Sequence, residues 1–479
     1  MGVLGRIASV ALVFAVSWGS IIYYWRSSGS MPSGLEMLAW LGLFPIGLSG
    51  AGYLLRRYAW QAAEKGASAL SSDGADATEV NATARDSAAE SSVAAPSAAL
   101  LASAVRWGST IEPSALLDRL HSPPRPPLET RWSGEGGMPL KVCAAPDLDE
   151  YAVLPAQIEG FATRVAERRA AALLAPVLER LLNAVVLAQP LPEVQEERVI
   201  AGLRRREQPQ AVQMTRIDLL VPRDWSEPVR AHVQAWALQQ VAAAGLATTS
   251  VELQLVVVEG PLQVTQRVQR VVDHLGSEGA EAPWQLIVAA ASLVDPTVIQ
   301  GLQQAGRLHD ARQAGGCIPG EAAAGVLLAA RPGVAPGAVR LWSPQWIEAA
   351  AADTERPAAW RRRLGEAAGG WWQARGLAAP ALFVHDAGGR AELALRASAV
   401  MHAVDPELDA SRQSLALPAS LGELGPALPL ALLALAHDAV MTHDAPALLA
   451  VLDDDARGGF TALDPLPTSA PAEAVPAAG

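Results

Sequence analysis

The chain has 479 residues, room for several domains, and 51% of its side chains are hydrophobic. Its 37 basic and 49 acidic side chains leave a formal charge of −12, which argues against nucleic-acid binding because phosphate affinity depends on basic surface. Two cysteines 174 positions apart, Cys143 and Cys317, make no disulfide framework, and the histidines fall in no metal-ligand spacing, so neither a metal nor a cofactor is expected.

Residues 7–25 and 35–55 are apolar stretches, each about the length that crosses a bilayer as a helix. Tyr23, Tyr24, Trp25, Tyr53, Tyr58 and Trp60 cluster near their ends, where aromatic rings favour the membrane interface. Tyr23-Tyr24-Trp25-Arg26 lacks the small residues of a cleavage site, which argues against a removed leader. Arg6, Arg56, Arg57 and Lys65 outweigh Arg26, so both termini are expected in the cytoplasm, with residues 1–65 forming a transmembrane hairpin. Residues 66–138 read as a linker: the first part is rich in Ala, Ser and acidic residues, and Pro123-Pro124 and Pro126-Pro127 stiffen the second.

Residues 139–144 are expected to start the folded region, followed by a helix over 157–187. That helix carries an apolar stripe including Leu173, Leu174, Val177, Leu178, Leu181 and Leu182, and a charged face of Arg164, Glu167, Arg168, Arg169, Glu179 and Arg180 that reads as solvated. Strands over 216–222, 251–258, 285–291 and 322–330 alternate with helices over 227–244, 262–275 and 297–308, a pattern that predicts a mainly parallel sheet covered on both faces. Beyond Pro332, residues 342–352 and 357–376 read as helices, the second with Trp360, Trp371 and Trp372 at a packed aromatic edge. Residues 381–385 and 392–395 read as strands paired around Asp386-Ala387-Gly388-Gly389, residues 421–436 as a buried helix, and 464–479 as a disordered tail.

Gly306-Arg307-Leu308, Gly316 and the run Ile318-Pro319-Gly320-Glu321-Ala322-Ala323-Ala324 resemble the passage that closes the first half of β-ketoacyl synthases in the thiolase-like superfamily. Asp295 stands where those proteins often carry an aspartate, and Gly422, Gly425 and Ala427 fit a small-residue loop of their second half. The resemblance implies an α/β fold of duplicated sheet-and-helix layers, with halves at 139–340 and 341–463, and a homodimer. Its signature set is Asp295, Gly306, Arg307, Gly316, Pro319, Gly320, Glu321, Gly422 and Gly425.

Active proteins of that type use a cysteine nucleophile in the first half and two histidines, or a histidine and an asparagine, in the second. Here no cysteine lies between Cys143 and Cys317, and Ser420, Gly422 and Glu423 occupy the stretch before Gly425 where a histidine is expected. No catalytic residue is assigned. The expected role is a non-catalytic, membrane-anchored adaptor in a bacterial inner membrane, with its soluble part in the cytoplasm. By analogy with ketosynthase-like proteins beside type VI secretion effectors, the partner would be a secreted effector or a spike component. The alternative is an acyl-chain-binding or acyltransferase-like enzyme of lipid metabolism, using Cys317 or Glu321 with a histidine.

Overall fold

Strands of two repeating sets build the central sheet. The first set is β1 (Ser97–Trp107), β2 (Thr215–Pro222), β3 (Val251–Val258), β4 (Trp284–Ser292) and β5 (Glu321–Ala329). The second is β6 (Val339–Trp342), β7 (Leu382–His385), β8 (Ser414–Ala416), β9 (Ala447–Val451) and β10 (Arg457–Pro465). The computed structural model describes residues 96–466 apart from 109–111, 134–136, 189–197, 201–202, 206–213, 278–282, 311–312, 331–336, 349–355 and 453–456. The expected hairpin over residues 7–55, the linker up to residue 95 and the tail beyond 466 lie outside the described residues.

Hydrogen bonding orders the strands β8-β7-β9-β10-β6-β1-β5-β4-β2-β3. Counted outward from the junction, each half runs first, fifth, fourth, second, third. In both, the fifth strand is antiparallel to its neighbours, while the fourth, second and third are parallel. The halves join where β1 pairs antiparallel with β6, from Ser97↔Trp342 to Leu100↔Val339. The same order and sense repeated about one seam is a duplicated architecture.

Helices lie in three layers around this sheet. α1 (Val165–Ala188) and α2 (Glu227–Ala243) cover the outer face of the first half. α5 (Pro357–Ala374) and α6 (Ala391–Val404) cover that of the second. Between the halves, α3 (Pro261–Gly276) and α7 (Leu428–His443) share one core with the inner faces of both. Along β4, Leu286, Val288 and Ala290 face α1 and α2, whereas Ile287 and Ala289 face α3 and α7. A strand buried on both faces has no polar side, so its sequence is apolar throughout rather than alternating. α1 and the stretch Gly425–His443 that contains α7 are long and apolar enough to cross a membrane, yet both pack in this body as core helices.

Several sequence expectations change, beginning with the sheet, which is mixed rather than mainly parallel because the first and fifth strands of each half pair antiparallel. Ser97–Trp107, read as linker, is the central strand that joins the halves, so the first half begins well before residue 139. Pro139–Lys141 instead pairs with Leu128–Ser133 in a small hairpin. Residues 342–348, the described part of the expected 342–352 helix, are extended: β6 ends at Trp342 and Gln345–Glu348 pairs with β10. Glu392–Leu395 lies in α6, because β7 pairs in parallel with β8 and β9 and needs a crossover rather than a hairpin turn.

Candidate functional site

Three loops meet at the inter-half junction. The first leads from α4 (Pro296–Gln304) to β5, the second follows β7, and the third precedes α7. Asp295 caps α4, accepting from the N–H groups of Thr297 and Val298, while its other oxygen accepts from Ala166 N–H at 3.0 Å and so ties α4 to the start of α1. Gly306 closes the helix in the left-handed region (φ 62°), with its N–H on Gln303 O and that of Arg307 on Leu302 O, a Schellman motif. Arg307 O then accepts from Cys317 N–H at 2.6 Å, and His309 N–H donates to Cys317 O at 2.8 Å. Gly316 sits against this ladder; a Cβ there would come within 2.5 Å of Leu308 O.

Pro319-Gly320 crosses from the first half to the second. Pro319 bridges Glu423 and also accepts from Cys143 N–H at 2.9 Å, and Glu423 N–H donates to Ile318 O at 2.8 Å. Gly320 and Gly422 allow the approach: a Cβ on Gly320 would meet Leu421 O at 2.6 Å, and Gly422 has φ 72°. Gly425, with φ 53°, lies against Ala291 on β4.

Glu321, fully buried at the start of β5, accepts four hydrogen bonds. They come from Ala145 N–H at 2.6 Å, Ser292 Oγ at 2.8 Å, Arg169 Nε at 2.9 Å and Arg169 Nη2 at 2.6 Å. Arg169 also donates to Glu150 at 2.8 Å and to Ala145 O at 3.0 Å. The charged face of α1 is therefore inward here: Glu167, Arg168 and Arg169 are buried, against the solvated reading. Spacing gave no warning, because the partners lie 152 and 19 positions away.

The titratable groups at the junction are Cys317, His385, Asp386 and Glu423, with Arg307 and Arg390 in their field. Burial, then Glu423, pushes the Cys317 thiol up to about 12 against the opposing pull of Arg307 and Arg390. Burial raises Asp386 to about 7, although its carboxylate accepts from Leu452 N–H at 2.7 Å. Glu423 is likewise raised by burial, countered by Arg390 and Arg307. His385 is held down at about 4 by burial; its Nδ1 accepts from Ala387 N–H and its Nε2 contacts Ser414 Oγ at 3.2 Å. The other thiol, Cys143, donates to Gly108 O and is also pushed up to about 12, by burial and then by Glu321.

The two thiols therefore keep their protons while His385 stays neutral, and the thiolate, the nucleophilic form of cysteine, is disfavoured. Among the described residues, no group of three or more His, Cys, Asp or Glu side chains is placed to hold a metal ion. The structure brings Pro319, Gly320 and Gly422 together and lays Gly425 on β4, while Asp295 and Gly306 cap α4 at its two ends. His385 and Asp386 stand outside the signature set; only their burial at the end of β7 marks them, and the sequence does not display it.

No family model matches the sequence, and no curated protein matches it. Solved structures similar to this chain include the ishigamide ketosynthase/chain length factor, at 14% identity and a TM-score of 0.47, covering 77% of this chain and 99% of that one. A Xanthomonas campestris OleA variant with cerulenin is 12% identical with a TM-score of 0.41, covering 77% of this chain and 97% of that one. A tetronic acid condensing enzyme is 15% identical with a TM-score of 0.39, covering 77% and 100%. These likenesses concern the fold alone. The strand order repeated in two halves and the helix layer shared between them are the duplicated sheet-and-helix architecture that the resemblance of the Ile318–Ala324 passage to thiolase-like proteins implies.

Proposed function

We propose that this protein is a non-catalytic, thiolase-like scaffold that binds a protein partner, held at a bacterial inner membrane by residues 7–55 with its folded body in the cytoplasm. The observation that carries the reading is the state of the junction. Burial, reinforced by Glu423, keeps the Cys317 sulfur protonated, and burial does the same for Cys143, which meets the junction at Pro319 and Gly320, whereas thioester attack needs a thiolate. His385 is engaged by Ala387 N–H and Ser414, so it does not serve as a base for that thiol. The cavity between α3, α7 and the inner strands, bordered by Thr265, Leu432 and Phe460, has a volume of about 20 Å³, the size of a water site.

The partner class named by this reading is a secreted effector or spike component of a type VI system. Two measurements test it. Full-length protein incubated with an acyl thioester should release no thiol above background, and Cys317→Ser should leave that baseline unchanged. Turnover abolished by Cys317→Ser would establish an enzyme instead. Affinity purification from the native cell should recover an effector or spike protein; recovery of the chain alone sinks the adaptor role.

A further inference from the structure

The edge of β1 that pairs with β6 is occupied over only part of its length. Ser97–Leu100 bond to β6, and the ladder to β5 is irregular between Leu100 and Ala102. Past that irregularity, no strand among the described residues covers this side of β1, and Leu101, Ala102, Ser103 and Val105 are only half-buried. α1 and α7 wall a cavity of about 650 Å³ along Leu101–Ser103, and a second of about 180 Å³ continues from Ser103 to the short helix Pro113–Leu117. Both cavities share Ser103, Arg180 and Asp438, which makes them one trench along an open strand edge.

The trench has polar chemistry that the fold does not use. Ser103 Oγ lies 2.9 Å from His437 Nδ1, while His437 Nε2 and Asp438 Oδ2 are buried without a hydrogen-bond partner. Buried polar atoms are ordinarily paired, so two orphans on adjacent lining residues point to a missing partner. The carboxylates of Glu112, Glu179 and Asp438 outnumber the guanidinium of Arg180, and burial followed by Arg180 keeps His437 neutral. At the outer end Leu187 is 86% exposed and Met441 51% exposed, an apolar lip beside the acidic floor.

We infer that this trench receives an extended basic segment of a partner protein, added as a strand to the free edge of β1. Strand addition supplies main-chain bonds to an unpaired edge, and alternate side chains then meet the walls. Basic residues fit the carboxylate excess, and an apolar residue fits the lip. The inference rests on the partner-binding reading above. Failure of the peptide test below leaves the thioester and co-purification tests of that reading standing on their own.

The test uses the full-length chain and a fluorescein-labelled peptide of alternating lysine and valine. Fluorescence anisotropy should report binding, with little or none for the matching glutamate–valine peptide. A copy N-methylated at alternate backbone amides should fail to bind, because it cannot complete the ladder. Combining Asp438→Asn with Glu179→Gln should weaken the lysine peptide by about tenfold while leaving the thermal transition in place. Equal binding of the N-methylated copy, equal binding of the glutamate peptide, or no binding at millimolar peptide overturns the proposal. So does concentration-dependent self-association that the lysine peptide does not reverse, since a second copy of this chain would then be the occupant.

Discussion

Glu321 and Arg169 carry the largest single-residue stake in the structure. A buried carboxylate with four donors is satisfied; removing it leaves the Arg169 guanidinium buried with only Glu150 and one carbonyl. Glu321→Ala is therefore expected to cost about 3–5 kcal/mol, read as a lower urea midpoint. Replacing Arg169 and Glu321 together with methionine should cost less than Glu321→Ala alone, because no unpaired charge remains. The buried titratable groups set a second expectation. His385 and His437, held at about 4 against an ordinary 6.5, bind fewer protons folded than unfolded, so their contribution is lost as pH falls through that window. Asp386, held at about 7 against 3.8, binds more protons folded than unfolded and contributes the opposite slope, gaining stability as pH falls from 7 toward 4. Asp386→Asn deletes only the second effect. Its urea midpoint should therefore drop more steeply between pH 7 and pH 5 than the parent's; an unchanged slope would place the proton elsewhere.

At the scale of elements, the loops matter more than the helices they connect. Gly320 has backbone carbonyls on the side where a Cβ would stand, and carbonyls of a packed loop cannot swing away like a side chain. Gly320→Ala should cost about 1–3 kcal/mol from overpacking and separate the Ile318–Glu423 contact, visible as faster amide exchange at Glu423. The passage around Gly320 was legible in the sequence because glycine, proline and a buried acid at fixed offsets leave a local trace. Other elements were not. Ser97–Trp107 reads SAALLASAVRW, whose small residues resemble a tether; its close packing between β5 and β6 favours that composition and hides it. Arg168 and Arg169 lie on a helix whose periodicity marks them as outward, and only distant partners turn them in. Glu392–Leu395 alternates like a strand, but the parallel neighbours of β7 dictate a helical crossover.

For the whole molecule, the duplicated sheet depends on the strand that sequence patterning placed in the linker. β1 is hydrogen-bonded to β5 on one side and to β6 on the other, so among the described residues it is the strand that makes the two halves one continuous sheet. The chain from residue 95 onward forms one compact unit. A chain beginning at residue 95 should thus retain a cooperative thermal transition and elute as a folded species. A chain beginning at residue 139 lacks β1 and leaves the edges of β5 and β6 unpaired and apolar, a template for aggregation. It should be recovered insoluble or without a cooperative transition in circular dichroism. Equal folding of both chains would mean that β1 is dispensable. The halves would then hold together through the shared core of α3 and α7, which buries Leu430, Leu432 and Leu435 between the sheets, and through the Ile318–Glu423 bond between the loops.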